Sequence, residues 1–247
     1  MDPAEFDRLV ARARNPRLIP GIYNYCDGRC LRCPFTERCL TYLDNQDLLS
    51  EDSDRSVGDT VGESLQRTME MLAEVAKREG VSIEAVTEEA LAPSSEDLGK
   101  YRSDPLAVRA REYAHLAWRV GRALAPLVEA RGDAGVIEAV ETIEWFSSMI
   151  SAKLYRAICG QAEAWEPAGE TQSDCNGSAK VALLGIIESR RAWDVLMETG
   201  RATANGVPAQ AAAMLQTLEV TVRIRFPLAM EFVRPGLDEP EYKKSPA

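Results

Sequence analysis

Four of the six cysteines in this chain, Cys26, Cys30, Cys33 and Cys39, fall within the fourteen residues 26–39, inside the stretch YNYCDGRCLRCPFTERCL. Thiolates are favoured ligands of zinc and of iron–sulfur clusters, so a C-x3-C-x2-C-x5-C run this dense reads as a metal site. Disulfides among these cysteines would close only very short loops. Such loops gain little, because loop-closure entropy grows with length. The first residues, MDPAEFDRLVARAR, show neither a basic start nor an apolar stretch, so no secretory signal is readable. In the reducing cytosol this implies, clustered cysteines serve as ligands more than as bridges.

The spacing also bears on the choice of metal. Structural zinc takes two pairs of ligands separated by a dozen or more residues, so that two knuckles close on one ion, and no second knuckle is present. Several cysteines in one short run, each two to five residues from the next, suit a cubane cluster, whose iron corners spread the ligands over a larger body. Pro34, directly after Cys33, fits such a loop because it removes an N–H and stiffens the turn. Iron–sulfur therefore ranks ahead of Zn2+, with free or redox-active thiols third.

The segment Cys30-Leu31-Arg32-Cys33-Pro34-Phe35-Thr36-Glu37-Arg38-Cys39-Leu40 resembles the second half of the [4Fe-4S] loop of helix-hairpin-helix DNA glycosylases. That loop runs C-x2-C-x5-C, often with Pro and an apolar residue after the middle cysteine. The resemblance implies a cluster held by Cys30, Cys33 and Cys39, with Cys26 as the fourth ligand. It departs at the first gap, where that family has six residues and this chain three. That family's cluster is also C-terminal, and no hairpin with a catalytic Lys/Asp pattern precedes the loop here. The likeness thus implies a cofactor without implying glycosylase activity. The Cx3Cx2C triplet is similar to that of radical-SAM enzymes, but those need a (β/α) barrel, and no alternating strands are readable. The block IYNYCDxxCxxC, and with it the whole chain, resembles an uncharacterised bacterial family, which implies no activity.

Composition narrows the partners. A chain of 247 residues with 45 % hydrophobic content can bury a sizeable core without help from a metal. The net charge of −10 sets a repulsive field against phosphate backbones, so nucleic acid is an unfavoured partner, despite the local patch from Arg8 to Arg17. No stretch approaches the ~20 apolar residues of a membrane span, and the expectation is a soluble, cytoplasmic protein.

Almost every segment beyond the cysteines has the helical period. Asp2 and Pro3 open a short amphipathic helix with Phe6, Leu9, Val10 and Ala13 on one face, ending by Pro16. The apolar LIPGIYNY leads into the cysteine loop, whose Tyr23, Tyr25 and Phe35 either shield a cluster or anchor the loop. An exposed acidic connection, NQDLLSEDSDRS, follows. Residues 57–80 carry Val61, Leu65, Met69, Leu72 and Val75 on one face up to Gly80. A short helix capped by Ser82, with Glu84 in its first turn, precedes a loop over 91–104. The helix from Asp104-Pro105 to Arg131-Gly132 has a seam of Leu106, Ala110, Tyr113, Ala117, Val120, Leu124 and Leu127. Residues 133–160 repeat the design with Val140, Ile143, Ile150 and Leu154. After a loop around Pro167-Ala168-Gly169, 176–199 holds VALLGII, apolar on all sides and so central. The last helix, about 207–234, shows Ala211, Leu215, Leu218 and Val222, with a kink expected at Pro227. The reading is all-α: a bundle of four or five long helices over 51–247, with residues 1–50 as an N-terminal Cys-rich metal-binding arm.

A second site within the bundle has little support. Glu112 and His115 form a Glu-x-x-His, half of a ferritin-like di-iron motif, but the chain has one histidine and the motif needs two. His115 also falls off the seam of Tyr113, Ala117 and Val120. Of the available carboxylates, Glu188 precedes Arg190 and Arg191, which reads as a neutralised carboxylate; Glu141 and Glu219 lie on neighbouring helices. Glu141, Glu144, Ser148, Ser151 and Tyr155 make a polar stripe, read as a solvated or hydrogen-bonding strip ahead of a pocket wall. Cys159 and Cys175 lack partners at ligand spacing. Neither a phosphate-binding loop nor a nucleotide motif occurs.

Three functions remain. The leading one is a [4Fe-4S] protein with a redox, electron-transfer or sensing role, its helical body serving partner binding or dimerisation. The second is a zinc-stapled structural or interaction protein. The third is a cluster-dependent enzyme with a polar pocket around Glu144, Tyr155 and Glu188.

Overall fold

Apolar residues recurring every three or four positions bury one stripe of a helix, and long runs of that pattern make a helical protein. The structure, a computed structural model, describes residues 1–46, 57–81, 101–131, 133–162, 169–198 and 206–239. The short helix expected from Ser82 and Glu84 lies outside them, as do most of the connection after Asn45, most of the 91–104 loop and the Pro167-Ala168 turn. The described residues form eight helices and no strand: α1 (Pro3–Ala13), α2 (Ile22–Tyr25), α3 (Leu40–Asp44), α4 (Val57–Glu79), α5 (Pro105–Arg131), α6 (Ala134–Ala162), α7 (Asp174–Glu198) and α8 (Val207–Arg225). None is long and apolar enough to cross a membrane. The all-α class stands.

The chain divides into two compact units: Met1–Tyr23, Gly28–Ser94 and Pro235–Ala247 in one, Asn24–Asp27 and Ser95–Arg234 in the other.

The second unit contains a bundle of α5 to α8. Each helix packs on its neighbours in sequence, and α8 returns to α5. The VALLGII stretch lies in α7, where Val181, Ala182, Leu183 and Ile186 are buried. The α5 seam is buried at Leu106, Ala110, Tyr113 and Ala117, with Val120 and Leu124 at its edge, and the Leu127 side chain lies outside the described ones. Gly185 lets α6 approach α7, because a Cβ there would stand 2.9 Å from a Phe146 ring carbon and 3.2 Å from Ile150. The fully buried Trp193 donates its indole N–H to the Tyr113 hydroxyl at 3.2 Å, and burial pushes the Tyr113 phenol's pKa up.

Caps set the helix ends. Asp2 accepts from the Ala4 N–H ahead of Pro3, and Asp104 accepts from the Leu106 N–H ahead of Pro105, as the sequence suggests. One expectation is corrected. Pro227 does not kink the last helix but follows its end: α8 stops at Arg225, Phe226 leaves helical geometry (φ −122°, ψ 69°), and a separate 3-10 turn covers Ala229–Glu231. Proline disfavours α geometry in the residue before it and has no N–H to continue the ladder.

In the first unit α1 lies against α4, joined chiefly through Arg78. Its guanidinium donates to Asp7 (2.6 Å) and Glu74 (2.8 Å) and stands 4.4 Å over the Phe6 ring. Met1 adds its amino group to Glu70 at 3.1 Å. These contacts use the charged side of α4, and Leu65, Met69, Leu72 and Val75 are exposed.

Two tests follow from the bundle. Tyr113→Phe orphans the buried Trp193 N–H and is expected to cost about 1–3 kcal/mol in urea denaturation with an unchanged m-value. Asp104 is the pH-dependent case. Burial raises its pKa, but Arg225 at 2.7 Å and the Leu106 N–H outweigh that and hold it below the ordinary value. A depressed carboxyl contributes stability above its unfolded pKa of about 3.9 and loses it as pH falls through the folded value. Asp104→Asn is therefore expected to destabilise by about 1–2 kcal/mol at pH 7, the gap to wild type closing in parallel urea titrations as pH falls through the depressed folded-state value.

Candidate functional site

A path from Leu18 to Leu40 through glycines and single turns places the cysteines. Gly21 and Gly28 take positive φ (72° and 71°), a conformation costly for residues with a Cβ, and they mark the bends on either side of α2. The Cys30–Arg32 and Thr36–Arg38 segments are single 3-10 turns, closed by the Cys33 N–H on the Cys30 carbonyl (3.1 Å) and the Cys39 N–H on the Thr36 carbonyl (3.2 Å). The Phe35 N–H donates to Cys33 Sγ at 3.4 Å, the first backbone N–H after Pro34. Arg38 ties this stretch to the chain before α2: its carbonyl accepts from the Ile19 N–H (2.9 Å) and its Nε donates to the Arg17 carbonyl (3.0 Å).

Under the turns lies a small core of Ile19, Ile22 and Phe35, against which Cys33, Cys39 and Leu237 pack. Phe35 is thus an anchor, whereas Tyr23 is exposed. The contribution from residues 236–237 is not readable in the sequence around the cysteines. Gly236 reaches Ile19 so closely that a Cβ would stand 2.8 Å from Ile19 Cδ1, at a φ of 71°.

Cys26 belongs to the other unit, within Asn24–Asp27. Asn24, Tyr25 and Asp27 of that stretch are each bonded to the bundle. Lys153 Nζ donates to the Asn24 carbonyl (2.5 Å), and Trp145 Nε1 donates to the Asp27 carbonyl (2.7 Å). The Tyr25 hydroxyl donates to Asp174 Oδ1 (2.9 Å), while Arg156 grips both oxygens of the same carboxylate (2.8 and 2.7 Å). Asp174 sits in the first turn of α7, where a negative charge meets the positive helix end. The Tyr25 ring leans on Phe232 at 4.6 Å, and both rings crowd Gly177, where a Cβ would fall 2.4 Å from Tyr25 Cε1. Tyr25 is therefore an anchor too. Burial pushes the Lys153 pKa down, Arg156 adds to this, and Cys26 and Asp174 oppose it.

Cys26, Cys30, Cys33 and Cys39 are all half-buried and outside any disulfide, as are Cys159 and Cys175. Their chemistry suits a thiophilic ion or cluster. Their placement is not that of a preformed site: among the described residues no three His, Cys, Asp or Glu side chains are grouped so as to hold a metal ion.

The other candidates are accounted for by simple placements. Glu112 and His115 are exposed beside the buried Tyr113. Glu188, read as a carboxylate neutralised by arginine, is exposed and pairs with Arg191 at 2.6 Å, while Arg190 reaches across to Glu219 at 2.7 Å. Glu141, Glu144 and Ser148 are exposed, Ser151 and Tyr155 half-buried, and Glu144 rests over Gly121. An open groove of about 300 Å³ between α5 and α8 is lined by Arg109, Glu112, Gln210, Ala213, Met214 and Thr217, without Glu144, Tyr155 or Glu188.

No family model matches the chain, and neither a comparison with curated proteins nor one with solved structures returns a match.

The Tyr25 anchor can be tested by a double-mutant cycle. Overpacking costs about 1–3 kcal/mol, so Gly177→Ala is expected to destabilise by that order despite alanine's better helix propensity. In a Tyr25→Ala background the cost should fall by more than about 1 kcal/mol. Additive losses in thermal or urea unfolding would show that the ring does not set the requirement for glycine.

Proposed function

We propose that residues 26–39 take up a [4Fe-4S] cluster through Cys26, Cys30, Cys33 and Cys39, and that the protein is a cytoplasmic redox, electron-transfer or sensing protein. The observation that carries this reading is the four-thiol run itself, dense, outside any disulfide and without a second knuckle. One feature of its surroundings supports it: the Phe35 N–H on Cys33 Sγ is the kind of bond that tunes a cluster's potential. The sulfurs are drawn together on loading, as in metal sites whose assembly is coupled to binding.

The test is anaerobic purification of the full chain, followed by iron, sulfide and zinc analysis and an absorbance spectrum. The expected result is about four irons and four sulfides per chain with a broad band in the visible blue, lost in Cys30→Ser or Cys33→Ser. One zinc per chain without colour, together with thermal stability that a chelator removes, would establish the zinc-stapled alternative instead. Preparations lacking both metals would overturn the metal reading altogether.

A further inference from the structure

Helix α4 is packed the wrong way round for an isolated helix. Its charged residues Glu63, Arg67, Glu70, Glu74, Lys77 and Arg78 share one arc, and α1 meets that arc through Arg78, Glu74 and Glu70. On the opposite arc Leu65 and Met69 are each 62 % exposed, Leu72 54 % and Val75 43 %. These four positions recur at the three- and four-residue spacing of a continuous seam. Gly62 extends it, with nothing within 4 Å of where a Cβ would stand.

We propose that this arc is the contact between two copies of the chain, α4 pairing with α4 about a twofold axis. Area is the first argument. The four side chains expose on the order of 400 Å² of apolar surface, the size of the largest patch on a typical monomer, which is often a functional one. Doubled by a twofold and joined by the flanking Gln66, Thr68 and Ala73, it comes to about 1,000 Å², the lower bound of a specific interface. Charge is the second. A twofold contact sets a patch against itself, so it must carry no net charge, and the arc from Gly62 to Ala76 carries none. Glu79 is the first charge at its end, and an antiparallel pairing sets it against the glycine end of the other copy. An anionic lipid surface fits poorly, because the polar arc carries Glu63, Glu70 and Glu74 where a membrane-binding helix needs a clear excess of Lys and Arg.

The experiment is light scattering on the eluting full chain under reducing conditions, with the loading concentration varied up to about 100 µM. The wild type is expected at twice 27.2 kDa. Leu72→Glu is expected at the monomer mass with unchanged far-UV circular dichroism, since its side chain is more than half exposed. Met69→Gln should raise the dissociation constant at least tenfold, and Arg67→Glu, on the other arc, should leave the dimer intact. A wild type that stays monomeric to the highest concentration overturns the proposal, as does a dimer unmoved by Leu72→Glu or a monomer that sediments with anionic vesicles.

Discussion

A helical stretch buried on every side has one stable position, enclosed by other helices, and residues 176–183 of α7 impose that constraint on the bundle. Covering it takes α6 along one side and α8 along another, and α5 closes the ring. Enclosure then dictates what its few polar residues do. Lys180 lies inside this helix at only 8 % exposure, and a buried ammonium without acceptors is costly. It takes the carbonyls of Met230 and Phe232, at 3.3 and 2.5 Å, from the segment after α8. Gln172 continues the strap, accepting from the Val233 N–H and donating to the Val233 carbonyl. With Phe232 so fixed, the seat for Tyr25 beside Gly177 is complete. The lodging of Asn24–Asp27 is thus a consequence of how α7 is buried.

Much of the helical architecture is legible in the chain itself, because periodicity and caps are local signals. The seams of α6 and α8, and that of α5 from Leu106 to Ala117, are buried where the spacing puts them, and Asp104-Pro105 opens α5 as the capping rule requires. The features that escape are those in which two distant pieces decide together. Pro227 signals a break, but whether it bends a helix or ends one depends on where Phe226 and Ala229 find burial. Glu188 stands next to VALLGII in sequence yet outside the core in space, since one helical step turns it to the surface. The face of α4 shows a further limit: periodicity identifies an apolar side without saying what covers it.

The cysteine stretch divides in the same way. The donor set and its chemistry are visible in the spacing, since ligand type is a property of residues. The surroundings come from far along the chain: Leu237 against the small core of Ile19 and Phe35, and Lys153, Trp145 and Asp174 around residues 24–27. Gly177 and Gly236 carry no sequence mark distinguishing them from ordinary glycines. Each is required because a ring or a branched chain occupies the space a Cβ would fill.

The closeness of Gly236 to Ile19 has a consequence in time. Ribosomes add about 5–20 residues per second, so the residues that complete the core beneath the cysteine turns are made about 10–40 seconds after those turns. Throughout that interval the thiols of Cys33 and Cys39 lack the cover of Leu237 and are open to small molecules. The arrival of residues 236–237 completes that packing and leaves both cysteines half-buried.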